Sequence, residues 1–87
     1  MSSFEERARA EKVRRLVNVL DLACVEQLKL DPIVQARDFA VRLAAMSEAG
    51  WEKAARVASV NVPSATTRAS VIDSYYERER LSRQVSA

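Results

Sequence analysis

The chain has 87 residues, 48% of them hydrophobic and 30% charged, with one glycine, two prolines and one cysteine. That composition excludes a disordered chain and predicts one ordered, mostly helical domain, large enough for a core but with little stability to spare. A formal net charge of +2 is a mild argument for a polyanionic partner and no more.

The lone Cys24 excludes an internal disulfide and a cysteine metal cluster, so a reducing, cytoplasmic setting is the default, with the thiol read as a small buried apolar group. There is no histidine, no glycine-rich phosphate loop and no metal-ligand spacing, so no catalysis, no small-molecule substrate, no cofactor and no metal site is expected. The start MSSFEERARAEK has no apolar core of signal-peptide length. No run approaches the ~18 apolar residues of a membrane span.

Ser3 followed by Glu6 has the spacing of a serine–glutamate cap and predicts the start of a first helix. Glu5 with Arg9 and Glu11 with Arg15 are i, i+4 pairs on its charged front, and residues 1–12 read as a solvated or projecting arm. From Val13 the pattern changes: Val13, Leu16, Val17, Leu20, Cys24 and Leu28 form one apolar stripe, in a helix expected over residues 3–30. Asp31 followed by Pro32 predicts an N-cap and a first-turn proline, starting a second helix without a loop.

Helix two turns Ile33, Ala36, Phe39, Ala40, Leu43 and Met46 inward and Arg37, Asp38 and Arg42 outward. Gly50 fits the left-handed position that ends such a helix. Trp51 then opens a third helix as its core anchor, with Ala54, Ala55 and Ala58 as a small-residue face. Asn61 tolerates a left-handed conformation and Pro63 pushes Val62 towards extended geometry, so this helix should end by Val60.

Pro63 or Ser64 begins helix four, which runs to about Arg83 and leaves a frayed tail at 84–87. At about 100° per residue, Ala65, Ala69, Ile72 and Tyr76 share one narrow inward sector. Thr66, Thr67, Ser70, Val71 and Ser74 then face outward, with Tyr75 at the flank. The expected fold is all-α, a compact bundle of four helices in a single domain.

Residues 53–72 contain Lys53, Arg56 and Arg68 and no acid. A short helix, a tight turn and a second helix over residues 51–76 resemble a helix-turn-helix DNA-binding protein. In one register Ala55, Ala58, Ser59 and Val60 fill the small, small, turn and valine places. In the other, Asn61 takes the glycine slot and Val62 is the buried turn residue.

The resemblance implies a small transcriptional regulator of the kind that phages, plasmids and bacteria use, acting as a homodimer with helix 64–83 in the major groove. Ser64, Thr66, Thr67, Arg68 and Ser70 would face DNA, and Lys53 and Arg56 would lie on phosphates. On the residues alone, Ser64 and the threonines are equally ordinary helix caps, and Arg68 equally stacks on Tyr75 or pairs with an acid. In the first helix, Arg7, Arg9, Lys12, Arg14 and Arg15 suit phosphates, whereas Val13, Leu16, Val17 and Leu20 suit a dimer interface or its edge. The competing reading is a small helical module, an inhibitor or an assembly subunit, that binds another protein and makes no DNA contact.

Overall fold

The computed structural model describes residues 3–86. Among them are four helices and no strand: α1 (Ser3–Leu28), α2 (Ala36–Ala44), α3 (Glu48–Ala58) and α4 (Ala65–Ser86). The all-α expectation holds. Helix α3 packs on α1, and α4 packs on both α2 and α1. None of these helices is long and apolar enough to cross a membrane.

Helix α1 runs unbroken for 26 residues, close to 40 Å at ~1.5 Å per residue. On its charged front the Glu11–Arg15 pair forms at 3.1 Å. It stops where Lys29 turns left-handed (φ 57°), which lets the Leu30 N–H reach back to the Cys24 carbonyl at 3.1 Å. Leu16, Val17, Leu20 and Cys24 are buried and Val13 packs at their edge. These positions therefore close the chain's own core and are not free for the dimer interface expected of Val13, Leu16, Val17 and Leu20.

The Asp31 cap forms: its Oδ1 accepts the Ile33 N–H at 2.8 Å and the Val34 N–H at 3.2 Å. Those two bonds hold its carboxyl below the usual range. Residues 32–35 make a single turn before α2 proper begins, so Ile33, expected inward, sits in that turn and is exposed. Ala36, Phe39, Ala40 and Leu43 are buried as expected.

Gly50 does not end helix two. It lies in the first turn of α3, where its N–H donates to Ser47 Oγ, the N-cap, at 3.2 Å, and no left-handed glycine occurs among the described residues. A Cβ at Gly50 would meet Met46 Cγ at 2.5 Å, so the glycine lets Met46 fold against the start of α3. Trp51 is the buried anchor expected, one turn into the helix instead of at its start, and Ala54, Ala55 and Ala58 are buried beside it.

Helix α3 ends on a Schellman pattern: Ser59 N–H donates to Arg56 O at 3.2 Å and Val60 N–H to Ala55 O at 3.0 Å. Its left-handed residue is Ser59, at φ 58°, and not Asn61.

In α4 the expected inward face is corrected by about one residue. Thr67, Val71 and Tyr75 are buried, whereas Ala65, Ala69 and Tyr76 are exposed. Tyr75 is fully buried, its ring meeting Phe39 edge-on with centroids 4.9 Å apart. Polar atoms on this face are tolerable inside because each has a partner, and no buried side-chain nitrogen or oxygen among the described residues lacks one.

Candidate nucleic-acid interface

The joint between α3 and α4 runs from Ser59 to Ser64 and returns α4 to the start of α3. Ser64 Oγ accepts the Thr67 N–H at 3.2 Å and lies 3.2 Å from Thr67 Oγ1, to which it donates. Ser64 is thus a cap, and Thr67, only 5% exposed, is the residue it holds. Thr67 does not face solvent, contrary to the expectation from sequence.

Arg68 is also taken up inside the chain. Its Nε donates to Pro63 O at 2.9 Å, and its two terminal nitrogens donate to the Glu48 carboxylate at 2.9 and 2.7 Å. The guanidinium carbon stands 5.5 Å from the Trp51 ring centroid, a stacking arrangement expected to add to the ion pair. Arg68 in turn holds the Glu48 carboxyl below its ordinary range. The acid missing from residues 53–72 is supplied from the first residue of α3, and Arg68 stacks on Trp51 instead of Tyr75.

Ser70 turns aside as well. Its Oγ donates to Thr66 O at 3.2 Å, and the half-buried side chain lines a shallow groove with Arg9 and Arg14 of α1 and Ser74 of α4. Lys53 is exposed but lies on a separate groove with Leu22, Glu26 and Val57. Of the seven residues expected at DNA, Arg56 in the last turn of α3 and Ser64 and Thr66 at the start of α4 are exposed on either side of the joint.

The structure brings to the joint two of the α1 cations read from the sequence as suited to phosphates, together with residues not singled out for DNA. Lys12 and Arg15 of α1 share a shallow groove with Ser59, Val60 and Asn61, and Asn61, Val62, Ala65 and Ala69 are exposed nearby along the chain. The signal was present: Ala8, Lys12, Arg15 and Val19 recur at helical spacing on one side of α1. The reach of the joint back to that side was not visible from spacing. Glu11 dilutes the charge by pairing with Arg14 and Arg15, and it is lowered in pKa by those two guanidinium groups.

The joint therefore offers the exposed Ser59 and Thr66 hydroxyls, the Asn61 amide and the Ala65 and Thr66 N–H groups, which no helical carbonyl can satisfy, whereas the Ser64 hydroxyl is spent on Thr67. The nearby cations are Lys12, Arg15 and Arg56. No protein-family model matches this chain, and neither a curated protein nor a solved structure shows significant similarity to it.

Proposed function

We propose that the chain is a small DNA-binding protein, a compact regulator that brings the first two turns of α4 to the major groove. The observation that supports this reading is the groove that Lys12 and Arg15 share with the left-handed turn Ser59–Asn61, between Arg56 in the last turn of α3 and the exposed, serine-capped start of α4. The Thr66 hydroxyl and the Ala65 and Thr66 N–H groups suit phosphate oxygens, while the Thr66 and Ala69 methyls suit thymine methyls and Asn61 suits adenine. The three cations take the flanking phosphates.

Asp73 lies on the same exposed side of α4, one to two turns beyond Thr66 and Ala69. A carboxylate there repels phosphate, so contact ends before it. The test is fluorescence anisotropy with random-sequence duplex at roughly 50 to 200 mM salt, across which several phosphate contacts cost orders of magnitude in affinity. Micromolar binding with a steep salt slope, flattened by Arg56→Ala with Lys12→Ala, is the expected result. Absence of binding at the lowest salt would refute it.

The second reading, a module that docks on another protein, is favoured by one observation. Leu22 and Val57, each 63% exposed, flank an apolar groove between α1 and α3 on a chain whose net charge does not demand nucleic acid.

A further inference from the structure

Helices α1 and α3 lie antiparallel, because the first half of α1 meets Ser59–Asn61 and the second half meets Gly50–Val57. Along that second half the two helices do not close on each other. They leave an open groove of about 300 Å³, with Ala23 and Met46 lining it between Leu22 on the α1 side and Val57 on the α3 side. Leu22 and Val57, each 63% exposed, leave apolar surface on both rims of this groove.

The charges along this groove identify what covers it. Glu26 stands on the α1 wall and Lys53 on the α3 wall, and neither forms an ion pair within the described chain. One anion and one cation on opposite walls make a surface complementary to itself. We infer that the groove is the interface with a second copy of this chain, related by a two-fold axis parallel to the groove.

That axis lays α1 of each copy over α3 of the other. Glu26 then faces Lys53 of the second copy, the pairing occurs twice, and Leu22 and Val57 from both copies fill the space between. A two-fold across the groove would instead set Glu26 against Glu26. The axis along the groove also puts both α3–α4 joints at the same end of the dimer, where two half-sites of a palindrome would meet them. Only this last consequence rests on the DNA reading; the interface itself does not.

Sedimentation equilibrium of the full chain, without DNA, tests the interface. The wild type should dimerise reversibly, and Glu26→Lys and Lys53→Glu should each weaken the dimer on the order of tenfold, since two attractions become two repulsions at an exposed rim. An equimolar mixture of the two variants should recover association as a heterodimer, because each then offers the charge that the other needs. Leu22→Asp, at an exposed position, should give a monomer with an unchanged helical circular dichroism spectrum. A wild type that stays monomeric, or a dimer indifferent to all three substitutions, would overturn the inference whether or not the protein binds DNA.

Discussion

The Tyr75 hydroxyl donates to Asp21 Oδ1 at 2.6 Å, joining residues 54 apart in the chain. The same hydroxyl lies 3.2 Å from Val17 O, and Arg78 clamps both Asp21 oxygens at 3.0 and 2.9 Å while its guanidinium sits 4.8 Å from the Tyr75 ring centroid. One carboxylate on α1 thus holds α4 at two positions about a turn apart. Burial, with Asp21 beside it, pushes the Tyr75 hydroxyl far above its ordinary pKa.

Tyr75→Phe removes that donor and keeps the Asp21–Arg78 pair, so it should cost about 1–2 kcal/mol in urea unfolding. Asp21→Ala should cost about 2–3 kcal/mol. The larger figure reflects the loss of the Arg78 ion pair together with the Tyr75 bond; it is held below that of a fully buried pair because both charged side chains are about a quarter exposed and because Val17 O and Pro32 O remain as acceptors. Equal losses from the two variants would mean that the hydroxyl, and not the clamp, holds α4.

The inward face of α4 is open to a direct check. Val71 is fully buried, so Val71→Ala should lose about 2 kcal/mol, two methyl groups plus the space they leave. Tyr76→Ala, at a position 40% exposed, should change stability by about 0.5 kcal/mol or less. The reverse ranking would restore the face read from the sequence.

That face shows where the sequence was legible and where it was not. Helix existence, the Asp31 cap, the Trp51 anchor and the stripe from Val13 to Cys24 follow from local spacing and turn chemistry, whereas Leu28, read on the same stripe, is 40% exposed. In α4 two stripes compete at similar spacing. The true one carries Thr67 and Tyr75, whose polar atoms are acceptable inside only because Ser64, Val17 and Asp21 answer them. Val17 and Asp21, 58 and 54 residues from Tyr75, leave no periodic trace. Arg68 was misplaced for the same reason, since its acid stands on a different helix.

Ser59 offers a gain in stability. A non-glycine residue in the left-handed region costs ~1–2 kcal/mol, whereas glycine adds ~0.4–1 kcal/mol of freedom to the unfolded chain. Ser59→Gly should therefore raise unfolding stability by roughly 0.5–1 kcal/mol, and Asn61→Gly should not. A loss on Ser59→Gly would argue that the serine side chain is used.

The Arg68–Glu48 pair fixes a pH dependence. Glu48 has a folded pKa held below its unfolded value by Arg68, so its contribution is complete above the ordinary glutamate range and is lost as pH falls through the lowered value. The stability difference between wild type and Glu48→Gln should thus be largest near neutral pH and shrink in acid. Arg68→Ala should lower stability yet leave the salt slope of any DNA binding unchanged, because the guanidinium is engaged within the chain. A flattened slope would return Arg68 to the DNA surface.

The helix pairings carry a consequence for how the chain folds. Helix α3 lies on α1, and α4 on α2 and α1, so every principal pairing skips at least one helix or joins the first to the last. Among the described residues, no two consecutive helices form a principal packing pair. Loop-closure entropy must be met before burial repays it, which puts folding at the slow end for a helical domain of this size. During synthesis α2 has no principal partner until α4 emerges. Mixing experiments should accordingly show one slow cooperative phase in which Trp51 fluorescence and helical signal appear together.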